Sequence, residues 1–239
     1  KHSIESFVDL PIMKDESKKI IMKLFFQVQS ATYQYYPPLN FLIQVIMFDM
    51  ALSYGITEVS CKNIAECGII YGPLLNNYDM AYRFGQTSLS LLEKFNAKLY
   101  KAGCYFIFAA FISHWKVHYS ESLKYYDICL KTALETGDIE NAVYSRTHKY
   151  KLMLYSGRNL NDCKTEGDNV LKFFKEVNIS FLEPSIRIFL NFISQLQSTY
   201  DYDNEKSLLE EALQSQNIWF LCILGQCNLI TNYILENIV

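Results

Sequence analysis

Turn-forming residues are scarce in this chain, with nine glycines and five prolines among 239 residues. That scarcity removes several kinds of chemistry. There is no GxxxxGK[ST] loop to cradle phosphates, no GxGxxG after a strand, no GxSxG elbow to expose a serine, and no HExxH pair for zinc. Charge of one sign is also lacking. The formal net charge is −3 from 22 basic and 25 acidic residues, too balanced to drive binding to nucleic acid or to an anionic membrane. Lysines such as Lys18, Lys19, Lys62, Lys124 and Lys149 are scattered, as expected of solvated helix faces. No apolar run reaches the ~18 residues needed to cross a bilayer. The longest, Asn40–Met50 and Cys104–Ile112, have the length of core helices. Lys1 opens the chain with neither an initiator methionine nor a signal-peptide pattern, and Ile234–Val239 close it within a helical pattern. Both ends therefore read as cuts through a longer protein. Seven cysteines form no CxxC pair and sit beside apolar residues, which points to free thiols in a reducing, cytoplasmic setting.

What is present is helical periodicity. Apolar residues recur at i, i+3, i+4 and i+7 along almost every long segment, and none shows sustained alternation. A first helix is expected over Asp15–Gln34, with Ile20, Ile21, Leu24, Phe25 and Val28 on one face. Tyr36-Pro37-Pro38 ends it, because a residue before proline avoids the α region and proline suits a first turn. Leu39–Tyr54 follows and stops at Gly55. Further helices are expected over Val59–Leu75, Met80–Phe95, Leu99–Lys116, Glu121–Thr136, Ile139–Tyr155 and Asp162–Val177. Gly55, Asn96, Gly137 and Asn178 stand 41 residues apart, and all are types that readily take a left-handed helix stop. Asp79, Ser120 and Asn161, each 17 residues earlier, are expected N-caps, and Leu89, Leu130 and Leu171 are expected core leucines.

Two helices per period of about 41 residues predict an all-α fold, a right-handed α-solenoid of stacked antiparallel pairs resembling tetratricopeptide repeats. The pairs fall at about 15–55, 57–96, 97–137 and 138–178, within an array over 1–178. An atypical repeat or junction occupies 179–239, with a helix from Pro184 to Tyr200, a turn over Asp201–Asn204, and helices over Glu205–Leu213 and Ile218–Leu235.

Candidate chemistry is thin. His114 and His118 have the i, i+4 spacing of two ligands on one helix face, but Tyr119-Ser120 marks a turn that places His118 past the helix end. No carboxylate or cysteine completes a site, so no metal, cofactor or catalytic residue is expected. The acidic pairs Asp15/Glu16, Asp201/Asp203 and Glu210/Glu211 lie at helix starts or in solvated stretches. Tyr105–Phe111 is apolar all round and reads as a helix buried on both sides, with Gly103, Ala109 and Ala110 allowing close approach. A small molecule or peptide held among these aromatics is the alternative function.

The series Tyr36-Pro37-Pro38-Leu39, Ala81-Tyr82-Arg83-Phe84-Gly85-Gln86, Leu91–Ala97, His114-Trp115-Lys116, Thr136-Gly137-Asp138, Tyr144 and Ser156-Gly157 resembles one family. It is the helical region of large hybrid signalling proteins, in which a Ser/Thr-kinase-like domain and an AAA-type (STAND-like) ATPase precede it, and a GAF domain and a sensor histidine kinase follow. The resemblance covers roughly Asp9–Val177. It implies a non-catalytic relay scaffold whose partners are other domains of the same polypeptide or another protein, with homo-oligomers formed through the parent. Tyr36, Pro37, Pro38, Tyr82, Arg83, Phe84, Gly85, His114 and Trp115 then become structural or interaction candidates. Arg83 is expected to be a buried charge pairing with a neighbouring repeat, a ligand contact being the alternative. Polar residues on the first helix of each pair, in Val59–Leu75, Leu99–Lys116 and Ile139–Tyr155, are expected to line the inner surface.

Overall fold

A computed structural model describes residues 3–197, 202–214 and 217–235. The helices are α1 (Glu16–Tyr35), α2 (Pro37–Tyr54), α3 (Ser60–Ile69), α4 (Tyr78–Phe95), α5 (Lys98–Ile107), α6 (Tyr119–Thr136), α7 (Ile139–Tyr155), α8 (Leu160–Glu176), α9 (Glu183–Leu196), α10 (Tyr202–Gln214) and α11 (Ile218–Ile234). Among the described residues the chain is all-helical, its one β contact an isolated bridge between Ile12 and Ile56. The helix end expected at Tyr200, the acid Asp201 and the terminal Glu236–Val239 lie outside the described residues. Tyr202–Asn204, expected as a turn, begin α10. The chain forms two compact units, Lys1–Ser145 and Arg146–Val239, divided within α7.

The helix stops follow from backbone chemistry. Gly55 (φ 98°), Asn96 (φ 48°), Gly137 (φ 72°) and Asn178 (φ 54°) all have positive φ. The N-caps lie two residues earlier than expected. Asn77 accepts from the Met80 amide, His118 from Ser120 and Asn159 from Asn161, so Asp79, Ser120 and Asn161 belong to the first turns. The shift is uniform, because each cap side chain must reach an amide two or three residues on. Asn77, His118 and Asn159 are again 41 residues apart.

Burial repeats with the caps. The positions 81/122/163, 85/126/167, 88/129/170 and 92/133/174 are buried in α4, α6 and α8, although only Gly85 and Gly167 share a residue type. The expected core leucines Leu89, Leu130 and Leu171 are one residue round from that stripe and only half-buried.

In the first unit, α2, α3, α4 and α5 enclose a core that includes Met22, Met47, Ile56, Ile64, Leu91 and Cys104. It is continued by Ala65, Ala81, Phe108 and Ile112. An N-terminal segment closes one side. Phe7 stacks on Phe48 at 4.8 Å, Met13 N–H donates to the Ile56 carbonyl (2.9 Å), and Ile56 N–H donates to Pro11 (2.8 Å). The backbone of Pro11–Met13 leaves no room for a side chain at Gly55. On α1, Met22 and Gln29 are buried, whereas Ile20, Leu24 and Val28, read as sharing one apolar face, are exposed. Both sides of α1 are apolar, and periodicity alone cannot tell which one meets the core.

α3 runs on into a π-helical turn, Ile70–Leu74, that contains Pro73. α5 continues through a second, Phe108–Ile112, and a 3-10 turn, Ser113–Trp115. These replace the uninterrupted helices expected there, since a π turn widens the ladder by one residue per bond. In the second unit α9 is central, packing against α8, α10 and α11 and burying Ile186, Ile188, Phe189, Phe192 and Ile193.

Close helix approach in the first unit is made at Gly68 and Gly85. A Cβ on Gly85 would stand 2.7 Å from Phe108 Cε2 and 3.2 Å from Ile112. At Gly103 the nearest atoms are the Lys62 methylenes at 3.5 Å, an ordinary contact, so the expected role of Gly103 in close approach is not needed. Gly85→Ala should therefore lower unfolding free energy by about 1–3 kcal/mol through overpacking. Gly103→Ala should raise it by up to about 1 kcal/mol through helix propensity. Urea denaturation of the two variants reads the opposite signs, and a stable Gly85→Ala protein would sink the packing argument.

Candidate functional site

The residues that carry the resemblance divide by environment. Tyr36 joins α1 to α2, its carbonyl accepting from Leu39 N–H (3.0 Å), while Pro37 and Pro38 occupy the first turn of α2. All three are exposed. Phe84 is buried, stacked on Tyr71 at 5.0 Å and edge-on to Phe48 at 5.9 Å. Tyr82 is half-buried against Phe108 (5.6 Å), and burial raises its hydroxyl above the usual range.

Arg83 is not the buried charge expected. It lies at the surface, where Nε donates to Glu5 Oε1 (2.6 Å) and Nη2 to Glu5 Oε2 (2.8 Å), a two-pronged pair with the N-terminal segment. These bonds hold the Glu5 carboxyl at about 2. Lys94 of the same helix donates to the Val8 carbonyl, so α4 grips the segment twice.

His114 and Trp115 belong to the 3-10 turn after α5. Trp115 stacks on Tyr78 at 4.4 Å, and the following Lys116 forms an ion pair with Asp79. The H-W-K segment thus ties this turn to the start of α4. His118 is extended (ψ 148°), capping α6 with Nδ1 2.9 Å from Ser120 Oγ. Among the described residues no group of three or more His, Cys, Asp or Glu is placed to hold a metal ion. Six of the seven cysteines are buried and all are free. Burial pushes the Cys104, Cys129 and Cys227 thiols up to about 12, so the thiolate a nucleophile needs is disfavoured. The aromatics around Tyr105–Phe111 fill space against one another: Phe108 meets Tyr125 at 4.9 Å and Phe106 stacks on Tyr144 at 5.5 Å.

The first unit also gathers polar side chains where α1 passes α3, α5 and the first turns of α7. Phe26 meets Tyr100 edge-on at 5.0 Å, Lys62 Nζ lies 4.9 Å above the Phe26 ring, and Gln34 Nε2 reaches Tyr144 OH at 3.4 Å. Lys62 is thus not the solvated lysine expected. It lies 3.6 Å from Glu66, and both side chains are largely covered. Asn63 Nδ2 donates to Gln44 Oε1 (2.7 Å) and Asn40 Nδ2 to the Gln29 carbonyl (3.1 Å). Gln29 Oε1, Gln44 Nε2, Asn63 Oδ1 and Glu66 Oε2 are buried without a hydrogen bond. Gln44 is near enough to favour the Glu66 carboxylate, yet no bond of ordinary length closes between them. Desolvation dominates, raising the Glu66 carboxyl despite Lys62. In the second unit an open crevice of about 210 Å³ is lined by Lys164, Asp168, Arg187 and Ser194, but Glu183 and Glu211 already engage Arg187.

No protein-family model matches the chain, and comparison with curated proteins finds none similar to it. No helix among the described residues is long and apolar enough to cross a membrane.

Two measurements test these electrostatic contacts. Glu66 binds its proton more tightly folded than unfolded, so its contribution to stability falls as pH rises above the unfolded carboxylate value. Glu66→Gln removes that fall, and its stability relative to wild type should be greater at pH 7.5 than at pH 5 by urea titration. A difference independent of pH would show that the carboxyl is not desolvated. Arg83→Ala should return the Glu5 carboxyl, followed by NMR, from about 2 toward the ordinary carboxylate range. An unmoved Glu5 would mean that Arg83 does not hold the segment.

Proposed function

We propose that this chain is a non-catalytic interaction and signal-relay scaffold, a right-handed α-solenoid segment of a multidomain histidine-kinase-type signalling protein in the cytoplasm. The supporting observation is the register shared by α4, α6 and α8. Their N-caps, left-handed stops and buried positions all recur at 41 residues. A chain that repeats its backbone boundaries while changing its core residues is built as successive copies of one helix-pair unit. Such units have elongated surfaces suited to gripping other proteins. Polar side chains from α3 and α7, with those of α1, supply the specific contacts on this reading, as Lys62, Glu66, Gln34 and Tyr144 do at present within the unit.

A relay needs a switch upstream and an effector downstream. The gene region encoding this chain should therefore carry a GxxxxGK[ST] motif on its N-terminal side, with a GAF or histidine-kinase domain on its C-terminal side. Titrating the purified chain with that ATPase domain, loaded in turn with ATP and ADP, should give dissociation constants differing at least 5-fold or so. Equal affinities in both states would remove the relay. A metabolite or peptide that raises the melting midpoint of the chain would instead favour the ligand-sensing alternative.

A further inference from the structure

Four buried polar atoms where α1, α2 and α3 meet make no hydrogen bond: Gln29 Oε1, Gln44 Nε2, Asn63 Oδ1 and Glu66 Oε2. Gln29, Gln44 and Asn63 are 2 %, 1 % and 0 % exposed. The bonds that are made fix how each amide is turned. Asn63 Nδ2 donates to the Gln44 carbonyl (3.1 Å) and to Gln44 Oε1 (2.7 Å), which leaves Asn63 an acceptor and Gln44 a donor. Gln29 Nε2 rests on the Met47 sulfur (3.4 Å), which leaves Gln29 an acceptor. The four side chains are neighbours. Asn63 and Glu66 stand one turn apart on α3, and Gln44 approaches both. Gln29 touches Met47 and, through its carbonyl, Asn40, the residues that bracket Gln44 on the buried stripe of α2.

We infer that these four side chains hold one internal water, which joins α1 to α2 and α3. A buried water bonds to polar groups that are otherwise unmet, donating two hydrogen bonds and accepting up to two. Gln44 supplies one donor, while Asn63 and Gln29 supply two acceptors. The fourth partner must then be a donor, and Glu66 is one only in its acid form. Against a carboxylate, three acceptors compete for two water hydrogens and one buried oxygen stays unmet. Desolvation favours the same acid form. The titratable groups around Glu66 are Lys62 and Cys67 on α3, Tyr33 on α1 and Cys104 on α5, while α2 brings the uncharged Gln44. Lys62 Nζ, 3.6 Å from Glu66 Oε1, disfavours a cation as the occupant. The site depends on packing within the first unit and not on the relay reading.

Oxygen-17 magnetic relaxation dispersion of the full chain detects long-lived internal waters directly. Gln44→Met and Glu66→Met keep side-chain length but remove the polar atoms, so each should lose the contribution of a single water relative to wild type. Glu66→Gln keeps a donor beside an acceptor and should retain that water. Carboxyl-carbon NMR of the wild-type chain should still find Glu66 in its acid form at about pH 5.5, where an ordinary glutamate is ionised. A wild-type chain without dispersion overturns the proposal. So does a contribution that survives both methionine variants, which places the water elsewhere. An ionised Glu66 at that pH, or loss of the water in Glu66→Gln, overturns the four-bond assignment. Circular dichroism checks that the variants stay helical, and the two wild-type measurements decide the matter where a methionine variant does not fold. None of these outcomes bears on nucleotide-dependent binding, by which the relay reading is judged.

Discussion

The constraint on which the helical pattern depends is the stopping of a helix by a residue that can turn left-handed. An α-helix leaves its last carbonyls unsatisfied, and a positive-φ residue lets later amides turn back to them. Here the Asn96 amide returns to Glu93 and the Ala97 amide to Leu92, while the Asp138 amide returns to Ala133 and the Ile179 amide to Phe174. Because such a stop both ends one helix and aims the next, stops at equal intervals give α4, α6 and α8 nearly equal lengths and one register. The buried positions then follow, at i, i+4, i+7 and i+11 in each.

This explains why the helix boundaries were legible and the core less so. Gly and Asn are nearly obligatory at a left-handed stop, so their spacing survives as letters in the sequence. A buried position asks only for complementary volume, and complementary volume leaves no fixed letter. The stripe of α4, α6 and α8 accordingly reads Ala81/Ser122/Cys163, Gly85/Tyr126/Gly167 and Ser88/Cys129/Val170. Leucine at 89, 130 and 171 is the repeated letter, and it marks the edge of the stripe. The N-cap positions were displaced by two residues for a related reason. Asp79 and Ser120 are good capping types, but so are Asn77 and, less conventionally, His118, and the earlier residue captured the amides.

The N-terminal segment and the polar cluster were less visible still. Ser3–Lys14 has no periodicity, and what holds it is scattered over the chain: Phe48 on α2, Gly55 beyond its end, Arg83 and Lys94 on α4. Arg83 was recognisable as a residue with a partner, yet Glu5 is 78 positions away and has no sequence signature of its own. Gln29, Gln44, Asn63 and Glu66 come from three different helices. Each alone looks like an ordinary polar residue of an amphipathic helix. Only packing reveals that their atoms share a covered space in which one carboxylate is partly compensated by Lys62.

α1 has an inner and an outer side, and the energetics of its hold matter to both. Of its twenty residues, only Met22 and Gln29 are buried, whereas α3 buries seven of ten. Its inner side packs Ile21, Met22, Phe25 and Phe26 on the core and adds polar contacts that cost little to rearrange: a cation over Phe26, a long hydrogen bond from Gln34, an amide on the Met47 sulfur. Its outer side carries aliphatic groups whose burial would be favourable. Covering the outer row would therefore fix α1 in place, and fixing α1 would hold Phe26 and Gln34 against Lys62 and Tyr144. On the proposed relay reading, α1 is the element through which an event on one side of the helix pair reaches the polar contacts on the other. The coupling can be no larger than the difference in α1 contacts between its held and released positions.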